Sequence, residues 1–148
     1  MKIIKKSPAV ARLEIEANNN EKSFIMLSSD IHYDSLGCDI DLLTSHLKMA
    51  EELQAPVLIA GDFLDVMQGK YDPRRNPEDL KEKYKTSSYY DAVVADAADF
   101  LGKFDIPVYI LGEGNHENSV RMHTDHDLLS NLSYRLRYEY KKQAINMG

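Results

Sequence analysis

Tryptophan is absent from this chain of 148 residues and cysteine occurs once, at Cys38. One cysteine excludes an internal disulfide, so the fold is expected to stand on its core alone and to reside in a reducing compartment. Long apolar runs are lacking as well, which argues against a membrane-spanning segment. The opening Met1-Lys2-Ile3-Ile4-Lys5-Lys6 has basic residues but no extended apolar stretch of the kind a secretory leader needs, and the cytoplasm is the expected location. Positive charge is the scarcer sign: 18 Lys and Arg stand against 24 Asp and Glu, a net charge of -6. Such a balance argues against a surface that binds nucleic acid along its whole face by counterion release.

What is present is enough for one ordinary core, since 43% of the residues are hydrophobic, and a single domain over 1–148 is expected. Residues 11–17 alternate, with Leu13 and Ile15 on one face, and Asn18-Asn19-Asn20 supplies a turn, so this segment is expected to form a hairpin into the next strand. Phe24-Ile25-Met26-Leu27-Ser28-Ser29, Val57-Leu58-Ile59-Ala60 and Ile106-Pro107-Val108-Tyr109-Ile110-Leu111 read as strands buried on both faces. Between and after them, helical spacing predicts helices over 39–54 with Asp39 as N-cap, over 91–104, and over 125 to about 140. Residues 66–88, with Gly69, Pro73, Pro77 and many charges, read as an insertion beside the sheet. The ending is read as a helix C-cap at Gly148. Alternating strands and helices indicate an α/β fold with a largely parallel sheet and flanking helices.

Three polar segments each follow an apolar run: Asp30-Ile31-His32, Gly61-Asp62-Phe63-Leu64-Asp65 and Gly114-Asn115-His116-Glu117. In parallel sheets, ligands gather beyond the carboxyl ends of the strands, so residues distant in sequence are expected to converge there. Carboxylates, imidazoles and an amide oxygen suit divalent Mn, Fe, Zn or Co. Two such ions can neutralise phosphoryl oxygens and lower the pKa of a bridging water.

Those ordered motifs, with the run from Gly61 through Met67-Gln68-Gly69-Lys70-Tyr71-Asp72-Pro73-Arg74-Arg75, resemble the N-terminal part of a calcineurin-like metallophosphoesterase, and in particular phosphoesterases encoded by bacteriophages and prophages. The resemblance runs roughly from Phe24 to Leu132. It implies an incomplete metallophosphoesterase sandwich in which Asp30 and His32 bind a first metal, Asp62 bridges two metals, Asn115 binds the second, and His116 is catalytic. Asp65 and Glu117 would orient the site through hydrogen bonds. The activity implied is hydrolysis of a phosphomonoester or phosphodiester by a metal-bound hydroxide, in the cytoplasm of a bacterial host if the chain is phage-encoded. The chain departs from the family pattern after Gly114-Asn115-His116, where another ligand histidine and a late G-H-x-H are expected and neither occurs. The residues present supply the first of two metals more fully than the second. The alternative reading is therefore a catalytically incomplete half-protein, or a remnant, that needs a second chain carrying the missing histidines.

Beside the motifs, Arg74 and Arg75 are candidates to clamp a substrate phosphate. The substrate itself, a simple phosphate ester, a nucleotide or a nucleic acid, is left open. His123 and His126 are candidates for substitute ligands, with a helix-capping or surface role as the plainer reading. Tyr84, Tyr89 and Tyr90 either stack on a base or pack the insertion against the body, and packing is the default.

Overall fold

The computed structural model describes residues 2–7, 10–15, 22–69, 72–73 and 75–148. It is a mixed α/β structure with a parallel sheet of four short strands flanked by helices, accompanied by a two-stranded antiparallel hairpin. In chain order the elements are β1 (Lys2–Ser7), β2 (Val10–Glu14), β3 (Met26–Ser28), α1 (Ile40–Glu52), β4 (Val57–Ile59), α2 (Tyr89–Gly102), β5 (Tyr109–Gly112), α3 (Asn115–Thr124), α4 (Leu128–Tyr138) and β6 (Ala144–Met147). The sheet runs β3-β4-β5-β6 with every neighbouring pair parallel. All four strands therefore end on the same side, and the loops after β3, β4 and β5 open there together.

The helices form where the sequence offers an apolar stripe and a start signal. In α1 the side chains of Leu43, Leu47 and Ala50 are buried, and Asp39 Oδ1 accepts the Leu42 N–H at 2.9 Å as the N-cap. Helix α2 buries Val93, Val94, Ala97, Ala98, Phe100 and Leu101, and it packs against α4, whose Leu128, Leu129, Leu132 and Leu136 are buried in turn. Asp127 caps α4 through Ser130 N–H at 2.8 Å. Central strand β5 is covered on both faces, with Tyr109 and Leu111 fully inaccessible and the Tyr109 hydroxyl donating to Leu101 O at 2.8 Å.

Four expectations are corrected. The strand at 24–29 is an edge strand rather than a doubly buried one: Leu27 is 74% exposed, and Phe24 and Ile25 are exposed too. Its apolar composition reports β-propensity without revealing that it has only one neighbouring strand among the described residues. The hairpin joins β2 to the preceding β1, with Ile3 opposite Leu13 and Lys5 opposite Ala11, and not to the following strand; the Asn18-Asn19-Asn20 turn lies outside the described residues. The motif Gly114-Asn115-His116-Glu117, expected beyond the end of its strand, lies mostly in a helix, because the loop after β5 is only two residues long and α3 starts at Asn115. Its start signal is Glu117, whose Oε2 reaches back to accept the Gly114 N–H at 3.1 Å. Finally, Gly148 follows a strand and not a helix, since residues 144–147 form β6 along β5 with Ala144 opposite Tyr109 and Asn146 opposite Leu111.

The insertion folds back onto the body. Two 3-10 turns, Pro77–Asp79 and Glu82–Tyr84, deliver Tyr84 to a fully buried position. Asp96 on α2 receives three donors on Oδ2: Tyr33 Oη at 2.8 Å, Tyr84 Oη at 2.7 Å and Lys83 Nζ at 2.7 Å. Burial alone would raise that carboxyl. The hydrogen bonds from Lys83, Tyr84 and Tyr33 outweigh it and hold Asp96 below the ordinary carboxylate value. Among the described residues, no helix is long and apolar enough to cross a membrane.

Candidate metal centre

Beyond the strand ends, the loops after β3 and β4 continue to pair although they are no longer strands. Asp30 N–H donates to Gly61 O at 3.1 Å, His32 N–H to Asp62 O at 3.0 Å and Tyr33 N–H to Phe63 O at 2.8 Å. This pairing holds Asp30, His32 and Asp62 in left-handed backbone, with φ of 53°, 49° and 49°. Non-glycine residues adopt that region at a cost of roughly 1 kcal/mol or more each. The cost is met by the interlocked backbone, and its result is that the motif side chains project from tight turns.

The third loop is pressed onto the second. A Cβ on Gly114 would lie 2.2 Å from Asp62 N and 2.2 Å from Asp62 Oδ1, and one on Gly61, whose φ is +142°, would lie 2.9 Å from Gly114 Cα. The glycines of the G-D and G-N motifs thus serve one purpose, the contact between two loop backbones. With no side chains intervening, Asp62 Oδ1 accepts the His116 N–H at 2.9 Å, and Glu117 Oε1 accepts the Leu64 N–H at 2.9 Å. Glu117 is 2% exposed, and burial raises its carboxyl above the ordinary value despite the backbone N–H groups it accepts.

At the meeting point stand His32, Asp65 and His116. Each offers a metal-ligating atom, and these atoms lie within 4.8 Å of one another. The rings of His32 and His116 meet edge to face with centroids 4.6 Å apart. His116 Nδ1 is 2.7 Å from the Asp65 carbonyl oxygen. A carbonyl has no proton to give, so Nδ1 carries it. His32 Nδ1 faces Asp65 Oδ1 at 3.1 Å and is assigned the proton on the same ground. Both imidazoles therefore keep a lone pair on Nε2. Orientation of a ligating imidazole by a carboxylate or carbonyl on its other nitrogen is the usual support of a metal site.

Compared with family models, curated proteins and solved structures, the chain matches none of them.

The chemistry of the donor set fits one divalent ion. Imidazole lone pairs on Nε2, with Nδ1 oriented by Asp65, are donors that such an ion takes. Asp30 and Asp62 fall outside the group: Asp30 is exposed, while Asp62 is buried with Oδ1 already holding a backbone N–H. Asn115 is exposed as the first residue of α3. Asp65 faces both rings, its Oδ1 against His32 Nδ1 and its carbonyl oxygen against His116 Nδ1, and its carboxylate lies within the group.

Neither substitute histidine joins the cluster. His123 Nδ1 bonds the Ser119 carbonyl at 2.7 Å along its own helix, and His126 lies 3.7 Å from Asp91. His126 instead lines a cleft of about 590 Å³ together with Gln68, Arg75, Ser88, Tyr89 and Tyr90. Arg75 is thus placed on a cleft wall, and Arg74 lies outside the described residues. Of the tyrosines considered for stacking, Tyr84 and Tyr89 have their hydroxyls engaged by Asp96 and Asp34, which suits packing. Two insertion lysines are engaged as well, Lys81 by Tyr33 O and Lys83 by Asp96.

One residue that the motifs did not single out is Asp34. It is 5% exposed and accepts Asp65 N–H on Oδ1 at 2.6 Å, and Val66 N–H at 3.0 Å and Tyr89 Oη at 2.9 Å on Oδ2. Burial raises its carboxyl, opposed by those donors. Its signal in the sequence is the continued alternation Asp30-x-His32-x-Asp34.

Proposed function

We propose that this chain is a metal-dependent phosphoesterase of the calcineurin-like kind, with an incomplete version of that sandwich as its fold. The observation that carries the reading is the convergence of His32 and Asp65, from the loops after β3 and β4, with His116, from the first turn of α3 after β5. His32, through Nε2 and with its ring oriented by Asp65 on Nδ1, would hold a divalent ion of the Mn, Fe, Zn or Co group, with Asp30 and Asp62 close by in sequence to approach it from either loop. In a complete site of this kind two ions are held, and Asn115 is the residue here for the second.

A bound divalent ion supplies charge neutralisation at the phosphoryl oxygens and an acidified water. The remaining work belongs to the protein. His116, with Nδ1–H fixed on the Asp65 carbonyl, presents Nε2 to the departing ester oxygen and delivers a proton there in its protonated form. Its backbone is anchored by the N–H it donates to Asp62 Oδ1. Arg75 gives the cleft a guanidinium suited to a phosphate-bearing substrate, whether a simple ester, a nucleotide or a nucleic-acid end.

The test is hydrolysis of bis(p-nitrophenyl) phosphate and p-nitrophenyl phosphate by the purified chain in Mn²⁺, with Asp62→Asn beside it. Turnover that requires Mn²⁺ and disappears in Asp62→Asn supports the reading; turnover indifferent to both refutes it.

A second reading has an observation of its own. Edge strand β3 leaves Leu27 74% exposed, next to exposed Phe24 and Ile25. Such an edge invites pairing with another strand, which favours a half-protein completed by a second chain with the absent histidines. In that case the chain alone is inactive and turnover appears only on mixing.

A further inference from the structure

Half-buried Asp96 and buried Asp34 both fasten tyrosine hydroxyls, and they do different things. Asp96 ties side chains together. Asp34 instead grips backbone: the N–H groups of Asp65 and Val66 converge on its two oxygens, and Tyr89 completes the set. The gripped segment is the one that matters to the metal centre. Asp65 offers Oδ1 to His32 Nδ1 and its carbonyl oxygen to His116 Nδ1. The next residue, Val66, is β-branched and sits at φ 46°, a region in which such side chains are strained outliers that persist only when their surroundings enforce them. Its N–H is the one held by Asp34 Oδ2 at 3.0 Å.

We propose that Asp34 and Tyr89 are positioning residues for the His32–His116 pair: Asp34 clamps the strained Asp65–Val66 backbone, and Tyr89, from the start of α2, fixes the clamp. Asp65 transmits that placement to both rings at once, through its carboxylate to one and its carbonyl to the other. Because Tyr89 also lines the cleft with Gln68 and Arg75, the wall of the cleft and the ligand pair share one hydrogen-bonded chain, Tyr89–Asp34–Asp65–His32. The placement of the rings stands on the geometry alone. Its consequence for metal affinity rests on the phosphoesterase reading.

The experiment compares Tyr89→Phe and Asp34→Asn with Tyr84→Phe, which deletes an equally engaged hydroxyl on the other carboxylate. Imidazole ¹⁵N shifts of His32 and His116, read by NMR in metal-free protein, report which ring nitrogen carries the proton. In the wild type both are expected to show the proton on Nδ1. Tyr89→Phe and Asp34→Asn are expected to shift both rings away from that pattern, and Tyr84→Phe to leave them unmoved. Co²⁺ affinity, followed by visible absorption, should fall about 10–100-fold in Asp34→Asn, the usual effect of removing an outer partner of a ligand, with little change in Tyr84→Phe. Ring shifts equal in Tyr89→Phe and Tyr84→Phe, or unchanged in Tyr89→Phe, overturn the inference. If Asp34→Asn fails to fold, Tyr89→Phe, which removes one oxygen atom, decides alone. If the wild type takes up no Co²⁺, the phosphoesterase reading fails while the ring shifts still decide this one.

Discussion

Replacing Gly114 with alanine tests whether the motif glycines exist for the contact between loops. Gly114 has φ -96° and ψ -176°, which alanine adopts freely, so the substitution introduces no backbone strain of its own. The added Cβ, however, would stand 2.2 Å from Asp62 N and from Asp62 Oδ1 and 2.5 Å from Asp62 Cγ. Ordinary contact begins near 3.4 Å, so backbone on one side or the other must retreat by more than an ångström. Overpacking of this kind costs about 1–3 kcal/mol, and the upper half is expected because one of the struck atoms is backbone. For a chain of this size, a loss of about 2–3 kcal/mol lowers Tm by roughly 6–12 °C. The retreat also lengthens the Asp62–His116 bond, now 2.9 Å, so metal affinity should fall together with stability. The control is Gly37→Ala, whose Cβ would meet nothing closer than Ser35 Oγ at 3.7 Å; it should be neutral or stabilising by up to about 1 kcal/mol. Thermal and urea melts of the two variants side by side settle the matter. A Gly114→Ala protein as stable as Gly37→Ala would refute the reasoning.

Other perturbations have equally direct outcomes. Glu117→Gln replaces one of two carboxylate oxygens that each accept a backbone N–H with a donor, and urea melts should show a loss of about 1–3 kcal/mol. Burial raises the folded Glu117 carboxyl above its ordinary 4.5. The native state therefore holds that proton more tightly than the unfolded state, and stability falls as pH rises from 4.5 through the raised value, a slope that Glu117→Gln should remove. Asp96 has the opposite sign. Its folded carboxyl lies below its ordinary 3.8, so the stabilisation is present above 3.8 and is lost as pH falls through the folded value. Asp96→Asn should flatten that acid limb of the stability profile. Leu132→Ala, at a fully buried site between α4 and its neighbours, should cost about 2–5 kcal/mol in the same melts, against less than about 0.5 kcal/mol for Leu27→Thr on the exposed edge.

Periodicity and position explain which parts of this structure could be read beforehand. Helix α1 was legible to within two residues because Asp39 both looks like a cap and acts as one, and β4 and β5 were legible because central strands are buried on both faces. Strand β3 has the same apolar letters with a different environment, since only the order of strands decides which is an edge. Helix α3 was hidden because its N-terminus uses a glutamate reaching back to a glycine N–H in place of a Ser, Thr or Asp cap. Strand β6 was hidden because Asn146 breaks its apolar letters, so it does not look like a buried strand. At the candidate site, the order of D-x-H, G-D-x-x-D and G-N-H-E pointed to three converging loops, and His32 and His116 do meet. The part of Asp65 in the cluster, and the clamp by Asp34, depend on the left-handed turns at His32, Asp62 and Val66, which no side-chain pattern announces.

The most direct test of the central claim is equilibrium binding of Mn²⁺ to the purified chain, with bound metal counted per chain, for wild type and His32→Ala. At least one Mn²⁺ per wild-type chain and a marked loss in His32→Ala are expected, because His32 belongs to the only group of three potential His, Cys, Asp or Glu ligands found among the described residues. No bound Mn²⁺ in the wild type, or equal binding by the two proteins, would contradict it.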